Sequence, residues 1–399
     1  MKRVNNLYDN IVDIKKIQNM YDRRIRINTK NKVKLERFEN NYVSNIVYIK
    51  NILKNRSYIP GRYNIFIIKE PKIRLIMSQN VIDKMINHLV SKYFLVDVFE
   101  KSLIKENIAT RENKGTHYGI KLLKSYINEL KNKEFYVLKF DISKYFYNID
   151  HKIVKELLKR KIKDKEVLDI LFKIINTTNE DYVNEEIRRL KKHEIKKILK
   201  SDNDNKQKLI DDINSIPEYK KGKGLPIGNM SSQFLAILYL NELDHFVKEK
   251  LKAKYYIRYM DDGIILHKDK EYLKYCLKEM TKIFDRYHLK LNSKTQIISI
   301  KQGFDFLGFR YVVKNKKLIL KIKNQTKKRF KRKMKSLYKL IGQGKITEKD
   351  ILQIKSSYLG HLSHGDTKKL VKNTLTEVSD IECYQVKIID KEIVYVNLG

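Results

Sequence analysis

The stretch YYIRYMDDGIIL, residues 255–266, places two short apolar runs on either side of an acidic pair, Asp261-Asp262. β-Branched and aromatic residues dominate both runs, as they do in strands, and only a tight turn fits between them. The stretch therefore predicts a β-hairpin with two carboxylates at its turn. An isolated acidic turn is usually a solvated hairpin tip, so the rest of the chain decides whether these carboxylates have a function.

A third carboxylate ends another predicted strand. Residues 135–142 (FYVLKFDI) form a β-branched and aromatic run that reaches Asp141, and a helical pattern begins near His151. If the strands are neighbours in a sheet, Asp141 lies close to Asp261 and Asp262. Magnesium prefers carboxylate oxygens on rigid supports. Phosphoryl transfer between nucleotides uses two divalent metals about 4 Å apart, so this set of acids suits that chemistry.

The composition indicates a globular protein with a polyanionic partner. Of 399 residues 42% are hydrophobic, with 26 Tyr and 15 Phe, which excludes disordered and fibrous classes. The length is typical of roughly two to three domains. The chain has 86 Lys and Arg and 47 Asp and Glu, which gives a formal net charge of +39. Nucleic acid is the expected partner of so basic a chain. An AT-rich genome, which inflates Lys, Asn and Ile, is the alternative source of part of this charge.

Cysteine usage and hydropathy favour a cytoplasmic protein. Cys276 and Cys383 are far apart and have no partners at metal-ligand spacing, so neither a disulfide scaffold nor a zinc module is expected. The N-terminal residues contain no apolar signal-peptide core, and no apolar stretch is long enough to span a membrane. We expect neither secretion nor a membrane partner.

Hydrophobic periodicity divides the chain into helical and strand-forming regions. Helices are expected up to about residue 58, before Pro60-Gly61, and again from Val81 to Phe99. A hairpin is expected over residues 63–77, solvated helices in a charged insertion over 177–223, and a buried helix over 234–240. Residues 321–340 predict a basic helix, whose packed face would contain Ile322, Phe330, Met334 and Leu337. The chain shows strand-like alternation from Cys383 to Leu398.

Seven segments, in order along the chain, resemble the motifs of reverse transcriptases. The segments FDISKYF at 140–146, GLPIG at 224–228 and YMDD at 259–262 resemble motifs A, B and C. Two fingers motifs are similar to KEPKIRLI at 69–76 and TRENKGT at 110–116, and motifs D and E to LKLNSKT at 289–295 and FLGF at 306–309. The four-residue acidic turn alone is a moderate signal, but seven motifs in the family's order over about residues 60–312 are a strong one.

The resemblance implies the fold class and the reaction. The implied fold is an α/β (α+β) right-hand polymerase, with N-terminal helices and fingers over residues 1–134, a palm with an antiparallel sheet over 135–312, and a basic helical thumb with a C-terminal extension over 313–399. The implied enzyme is an RNA-directed DNA polymerase, a nucleotidyltransferase that makes cDNA. Its partners would be an RNA template, a DNA or RNA primer and deoxynucleoside triphosphates, in the cytoplasm of a bacterium or encoded by a phage.

Metal ligation and proton transfer are also implied by the resemblance. Two Mg²⁺ ions, replaceable by Mn²⁺, would be held by Asp141, Ile142, Asp261 and Asp262, and the three carboxylates would be catalytic. Lys294 of motif D resembles a lysine proposed to protonate the leaving pyrophosphate. The alternative for Lys294 is an ordinary surface lysine.

Several motif residues are expected at the incoming nucleotide. Phe146 resembles the steric gate that clashes with a ribose 2′-hydroxyl, and an ordinary core phenylalanine is the alternative. Arg74 is the preferred triphosphate ligand because its planar guanidinium can bind phosphate through two hydrogen bonds. The resemblance adds Lys69 and Lys72, which could instead be solvated hairpin charges, and Gly228 and Gln233.

Template and primer contacts are implied in three regions. These residues would bind sugar and phosphate without reading bases. They are Arg111 and Gly115 in the second fingers motif, Phe306, Leu307 and Gly308 in motif E, and Lys327, Lys328 and Arg329 in the basic helix.

Motif B favours one subgroup of reverse transcriptases. Many bacterial and intron-encoded enzymes have a Gln-Gly pair and a later Ser-Pro here, whereas this chain has Ile227-Gly228 and Ser232-Gln233. That pattern resembles the enzymes of diversity-generating retroelements, which implies error-prone copying of template adenines. The side chain of Ile227 cannot hydrogen-bond to a nucleotide or template, so geometric checking should loosen. The subgroup also implies a structured template-repeat RNA and a small basic accessory protein as partners.

Two departures keep alternatives open. Gly263 stands where the family usually has a bulky apolar residue, and the charged insertion is longer than expected. Both leave room for a reverse transcriptase of bacterial antiphage defence. A catalytically inactive RNA-binding protein on a polymerase fold is the third hypothesis, and three uncompensated carboxylates in a basic chain argue against it.

Overall fold

The computed structural model describes residues 3–201, 205–368, 370–371, 384–389 and 392–397. Helices predominate, and short 3-10 or π-helical segments continue several of them. The α-helices are α1 (Ile14–Met20), α2 (Lys32–Glu39), α3 (Tyr42–Lys54), α4 (Val81–Val90), α5 (Asp97–Phe99), α6 (Thr116–Leu130), α7 (Tyr145–Asn148), α8 (His151–Lys161), α9 (Lys165–Asn176), α10 (Asp181–Leu199), α11 (Lys206–Asn214), α12 (Met230–Tyr239), α13 (Asn241–His245), α14 (Lys270–Arg286), α15 (Asn324–Gly342) and α16 (Glu348–Leu362).

The described strands form four small sheets. Two are the hairpins β1-β2 and β10-β11, one is four-stranded with the order β4-β5-β3-β6, and one is three-stranded with the order β7-β8-β9. The strands are β1 (Asn64–Ile68), β2 (Arg74–Ser78), β3 (Tyr136–Asp141), β4 (Tyr255–Tyr259), β5 (Asp262–His267), β6 (Gln296–Ser299), β7 (Phe304–Phe306), β8 (Phe309–Lys314), β9 (Lys317–Ile322), β10 (Tyr384–Ile389) and β11 (Glu392–Asn397).

Polar side chains fix where helices begin. Asp164 lies just before α9 and accepts a hydrogen bond from the backbone amide of Val167 at 3.3 Å, which satisfies a donor that the first helical turn leaves unpaired. The same carboxylate accepts a 2.9 Å hydrogen bond from the amide of Leu7. One aspartate therefore caps α9 and holds the N-terminal segment beside it.

The hairpin predicted over residues 63–77 is confirmed. Strands β1 and β2 pair antiparallel, with Asn64 opposite Ser78 and Ile68 opposite Arg74. Ile65 of β1 and Leu75 and Met77 of β2 are buried on one face of the hairpin, as the period-2 pattern requires.

The charged insertion forms helices, as expected, but it is not merely solvated. Val183 and Ile187 of α10 are fully buried in one cluster with Ile65 and Leu75 of the β1-β2 hairpin. A charged helix with one apolar stripe buries that stripe against a partner, and here the partner is the hairpin. The insertion is therefore part of the core that supports β1 and β2.

The four-stranded sheet brings the predicted acidic strand next to the acidic hairpin. Strand β3 ends at Asp141 and is a neighbour of β5, which begins at Asp262. Gly263 is buried against the ring of Phe140, and a Cβ at Gly263 would lie 2.1 Å from that ring. The unusual glycine after the acidic pair thus has a packing cause.

The chain forms two compact units. The first contains the described residues of Met1–Gly115, Lys139–Ile265 and Lys274–Gln296, and the second those of Thr116–Leu138, Leu266–Leu273 and Ile297–Gly399. The division into fingers, palm and thumb stays a prediction.

The second unit contains the predicted basic helix. Phe330, Met334 and Leu337 of α15 are buried together with residues of α16, which confirms the packed face. Ile322 belongs instead to strand β9, because residues 317–322 pair antiparallel with β8. The helix begins at Asn324, three residues later than the charge pattern indicated.

The last part of the chain contains another antiparallel pair of strands. Residues Tyr384–Ile389 and Glu392–Asn397 pair along their whole length, as their alternation predicted. Cys383 and Leu398, at the ends of that prediction, lie outside the described residues, while Cys276 is buried. Among the described residues, no helix has the length and apolar character needed to cross a membrane.

Candidate active site

A buried arginine, Arg258, stabilises the backbone of the acidic turn between β4 and β5. Met260, the residue before Asp261, has a φ of 56°, a left-handed conformation that costs energy for a residue with a side chain. The guanidinium of Arg258 donates a 2.7 Å hydrogen bond to the Met260 carbonyl and a 2.9 Å hydrogen bond to that of Ile237. These contacts fix the backbone that carries the two aspartates.

The charge of Arg258 is compensated inside the fold. Its side chain is 0% exposed and pairs with Asp244 through Nε–Oδ1 at 2.7 Å and Nη2–Oδ2 at 2.6 Å. Tyr256 and Asn107 donate further hydrogen bonds to the same carboxylate, at 2.7 and 3.1 Å. A buried ion pair is tolerable only when its remaining donors and acceptors are satisfied, and this one has four hydrogen bonds at its carboxylate. Sequence reasoning missed the network, since neither Arg258 nor Asp244 stood out from the many charges of the chain.

Asp141 is held by the segment that resembles motif D. The side-chain amide of Asn292 donates to Asp141 Oδ2 at 2.5 Å, and the Asn292 backbone amide donates to the Asp141 carbonyl at 2.9 Å. The hydroxyl of Thr295 accepts a 3.3 Å hydrogen bond from the Asp141 amide. Asn292 thus fixes the carboxylate by two contacts, and the sequence signal for it was only its place within the motif.

The pKa of Asp261 responds to acidic residues from two segments of the chain. The pKa of Asp261 is raised to about 6, first by burial and then by the negative charges of Asp262 and Asp141, while Arg74 opposes the rise. Like charges within a few ångströms disfavour the ionised form, so the three carboxylates share one electrostatic environment. Asp141, Asp262 and Arg74 therefore lie within electrostatic range of Asp261, and their assignment to one catalytic site stays a prediction.

The loop of residues 224–228 lies against strand β2. The amide of Met77 donates a 2.8 Å hydrogen bond to the carbonyl of Ile227. Gly228 has a φ of 134°, and a Cβ there would lie 2.6 Å from the Met77 carbonyl oxygen. Only glycine allows this approach of the loop to the strand that begins with Arg74.

Comparison with known proteins agrees with this geometry. Residues 67–311, more than half of the chain, match the family model described as reverse transcriptase (RNA-dependent DNA polymerase). The chain belongs to the reverse transcriptase family. The predicted right-hand polymerase fold of the α/β class is thereby confirmed.

Other comparisons add little at the level of single proteins. Among solved structures, that of apo telomerase from Candida tropicalis, truncated from its C-terminal domain, has 15% sequence identity and a TM-score of 0.36. The similarity covers 70% of this chain and 60% of that chain. The search of curated proteins finds no match.

The carboxylates suit the magnesium that reverse transcriptases use. Among the described residues, no group of three or more His, Cys, Asp or Glu side chains is placed to hold a metal ion by itself. Magnesium at phosphate sites keeps several waters and binds one or two carboxylates together with the substrate phosphates, so a complete protein cage is not required. The donor chemistry of Asp141 and Asp261 fits this mode, and a cation would oppose both causes of the raised pKa of Asp261, first burial and then repulsion by Asp262 and Asp141. Ile142, also predicted at the metal, is buried and bridges to Leu291.

The three predicted triphosphate ligands differ in their surroundings. Arg74 is exposed at the first position of β2 and acts electrostatically on Asp261. Lys69 forms a 2.6 Å ion pair with Glu194 of the insertion, whose pKa is lowered chiefly by that contact. Lys72 is exposed in the hairpin turn. Arg74 therefore has the clearest structural link to the carboxylates.

The predicted steric gate lies directly after the Asp141 strand. Phe146 is half-buried, and its ring centroid is 5.9 Å from that of Tyr145 in an edge-to-face contact. The Phe146 carbonyl accepts a 2.8 Å hydrogen bond from the amide of Leu225. The reverse transcriptase motifs A and B are thus tied together at this residue.

Gln233 and Arg111 of the second fingers motif line one cavity of the first unit. Gln233 is half-buried and lines a cavity of about 680 Å³ together with Arg23 and Arg24 of the N-terminal segment. Arg111 lines the same cavity, but its guanidinium donates to Glu100 at 2.6 Å and to two backbone carbonyls. These contacts give Arg111 a structural role in addition to the predicted template contact.

The remaining predicted residues occupy turns and one helix. Gly115 has a φ of 107° with open space around its Cα, and Lys294 is exposed beside Asn292. In the second unit Phe306 is buried, whereas Leu307 and Gly308 form a left-handed turn with φ of 48° and 89°. The basic residues predicted to bind duplex, Lys327, Lys328 and Arg329, lie on α15, the first two exposed and the third half-buried.

Proposed function

We propose that the chain is an RNA-directed DNA polymerase that extends a DNA or RNA primer on an RNA template with deoxynucleotides. Family membership supports the reaction class, and the observation that carries the proposal is that β3, which ends at Asp141, lies beside β5, which begins at Asp262. Carboxylates that lie close together repel one another, which costs stability. Such a group in a strongly basic chain is therefore typical of a functional site.

In this proposal the carboxylates of Asp141, Asp261 and Asp262 and the backbone carbonyl of Ile142 would hold two Mg²⁺ ions, which Mn²⁺ could replace. When bound, the metals supply activation of the primer 3′-hydroxyl and neutralisation of the leaving pyrophosphate. Arg74 binds the triphosphate through its guanidinium, assisted by Lys72 and, once released from Glu194, by Lys69. Lys294 Nζ donates a proton to the leaving pyrophosphate.

Other residues of the chain position the substrates. Phe146 excludes a ribose 2′-hydroxyl, and Gly228 and Gln233 contact the nucleotide and its template base. Template and primer backbones are bound by Arg111, Gly115 and the motif E residues Phe306, Leu307 and Gly308. The cationic face of α15 adds Lys327, Lys328 and Arg329.

Primer extension tests the reaction class. The assay uses a defined RNA template, Mg²⁺ and deoxynucleotides, and compares the wild type with Asp261→Ala and with Asp285→Ala, an exposed control on α14. We expect cDNA from the wild type and the control and none from Asp261→Ala. Extension that survives Asp261→Ala would refute the assignment of the site, and no extension by the wild type with its co-purified RNA retained would favour the binding-only hypothesis.

The finer proposal is the error-prone enzyme of a diversity-generating retroelement. Ile227 supports it, because an aliphatic side chain at the nucleotide cannot replace the hydrogen bonds of a glutamine. A structured template-repeat RNA and a small basic accessory protein would then be partners, in a bacterial or phage-infected cytoplasm. Sequencing the extension products by template base tests this proposal, and errors concentrated opposite adenine are expected.

Antiphage defence is the second candidate. The charged insertion leaves room for it, because the insertion is longer than the retroelement pattern led us to expect. Within it, α10 is buried against the β1-β2 hairpin and pairs Glu194 with Lys69. Gly263 no longer discriminates between the candidates because packing against Phe140 accounts for it. Accurate cDNA in the same assay would favour defence over the retroelement enzyme.

A further inference from the structure

Three histidines meet in the second unit, outside the residues assigned above. His117 is exposed in the first turn of α6, His361 lies near the end of α16, and His364 follows that helix. The rings of His117 and His364 are edge to face with centroids 4.0 Å apart. Residues 247 positions apart in the chain thus form one cluster, which we call the histidine cluster.

The histidine cluster adjoins motif E. The ring of His361 packs on Phe309 with centroids 4.8 Å apart. A Cβ added at Gly308 would lie 3.3 Å from His361 Cε1, so the glycine turn leaves the imidazole room and keeps backbone accessible beside it. The cluster therefore lies against the turn expected to bind primer.

The groups that face the cluster are basic. Lys124 of α6 donates a 2.8 Å hydrogen bond to the carbonyl of His364, and Arg329 of α15 acts on His361. The pKa of His364 is lowered by burial first and then by His117, Lys124 and His361. The pKa of His361 is lowered by burial first and then by His117 and Arg329.

Acidic compensation is directed elsewhere. The acid that follows the cluster in the chain, Asp366, accepts a 2.7 Å hydrogen bond from the backbone amide of Leu320 in β9. Among the described residues, every charged group that acts on the pKa of His361 or His364 is basic. Protonated imidazoles here would repel one another and their neighbours unless an anion joined them.

The positive surface continues beyond the histidines. Lys124 also lines a cavity of about 390 Å³ whose other charged walls are Lys131, Lys317 and Asp366. Three lysines against one aspartate leave this cavity net positive. Cations that follow one another over a surface are the arrangement with which proteins track a phosphate backbone.

We propose that His117, His361 and His364 form a phosphate-binding site for the sugar-phosphate backbone of the primer–template duplex, and that binding is coupled to protonation of the cluster. The proposal rests on the proposed polymerase function for the identity of the duplex. The bound phosphodiester supplies the negative charge that the cluster lacks, and each imidazolium N–H is a charge-assisted donor to it. Lys124 and Arg329 extend the contact on either side.

Duplex binding by the full chain tests the coupling without any histidine variant. We would use Asp261→Asn to prevent extension and measure the affinity for an RNA–DNA duplex between pH 5.5 and 7.5 at constant ionic strength. The expected result is a five- to tenfold weakening with rising pH, since one unit of pKa change on binding is about a tenfold change in affinity. Calorimetry in buffers of different ionisation enthalpy should show net proton uptake near pH 6.5. Binding without proton uptake would overturn the proposal.

Variants locate the coupling. His361→Gln and His364→Gln should each weaken binding at pH 5.5 and flatten the pH profile, whereas His193→Gln, at an exposed position on α10, should leave the profile unchanged. His364→Lys should restore tight binding at pH 7.5. An unchanged profile in both glutamine variants would contradict the proposal. Should thermal melts show that a glutamine variant is unfolded, the proton uptake of the parent chain still decides.

Two further measurements distinguish a duplex from a free triphosphate as the bound ligand, and the phosphate site from the proposed polymerase function. Excess deoxynucleoside triphosphate should not abolish the proton uptake on duplex addition; if it does, the site binds a free triphosphate and the duplex assignment is wrong. Proton-linked duplex binding without primer extension by the wild type would sink the proposed polymerase function while the phosphate site stands. Primer extension by the wild type together with pH-independent duplex binding would refute the phosphate site and leave the polymerase function standing.

Discussion

The guanidinium of Arg258 donates a 2.7 Å hydrogen bond to the carbonyl oxygen of Met260, whose left-handed backbone starts the acidic turn. Residues held in such conformations persist only where surrounding contacts impose them. The ion pair with Asp244 in turn orients Arg258. The position of Asp261 thus depends on a buried charge that does not itself reach the substrate.

Replacing Arg258 by lysine should therefore damage catalysis more than binding. Lysine keeps the charge but cannot pair bidentately with Asp244 and also reach the Met260 carbonyl. We expect kcat for nucleotide incorporation to fall about 100-fold, because displacements of about 1 Å at a reacting centre have that effect. The KM for primer–template should change little. If KM instead rose about 100-fold while kcat kept its wild-type value, Arg258 would serve substrate binding.

Asn292 offers a second test of carboxylate positioning. Asn292→Ala removes the 2.5 Å hydrogen bond to Asp141, and a hydrogen bond to a charged group is worth about 1.5–3 kcal/mol. Single-nucleotide incorporation should slow at least tenfold, and the Mg²⁺ concentration needed for half-maximal rate should rise. The matched control is the exposed neighbour, Ser293→Ala, which should behave as the wild type. Equal rates for both variants would remove Asn292 from the site.

Phe146 should determine the choice of sugar. Phe146→Ala opens space where a ribose 2′-hydroxyl would lie, so discrimination against ribonucleotides should fall on the order of 10- to 100-fold. The measurement is the ratio of kcat/KM for a deoxynucleotide to that for the matching ribonucleotide. Unchanged discrimination with normal activity would identify Phe146 as an ordinary packing residue.

His88 should make the first unit sensitive to acid. Burial first, then the charges of Lys84 and Arg24, lower the pKa of His88 from 6.5 to about 4. The unfolded chain therefore binds this proton more readily than the folded chain, and the stability present above pH 6.5 is lost as pH falls towards 4. Between pH 7 and 5 this amounts to about 1–2 kcal/mol. Urea denaturation should show a smaller loss for His88→Gln than for the wild type, and no difference for His193→Gln.

The sequence predicted the elements that local pattern determines. The β1-β2 hairpin, the strand ending at Asp141 and the acidic turn follow from period-2 alternation and turn chemistry, and the packed face of α15 follows from helical spacing. The motif order along the chain added the family. These features need no knowledge of which distant segments meet.

Contacts between distant segments could not be predicted. Asn292 and Asp141 are 151 residues apart, and nothing local distinguishes Asn292 from other asparagines in this Asn-rich chain. The insertion was expected to be solvated because its charges dominate its composition, whereas its few apolar residues decide its packing. The histidine cluster likewise depends on helices α6 and α16 meeting, which one sequence does not reveal.

The central claim is that Asp141 and Asp261 act together in nucleotide transfer. The most direct measurement is Mg²⁺-dependent incorporation of one deoxynucleotide on an RNA template by Asp141→Asn, Asp261→Asn and the exposed control Asp285→Asn, with folding checked by thermal melts. We expect each of the first two variants to lose at least about 1000-fold in rate, because charge stabilisation in the transition state is removed, while the control keeps the wild-type rate. A folded Asp141→Asn or Asp261→Asn variant with near wild-type rate would contradict the account.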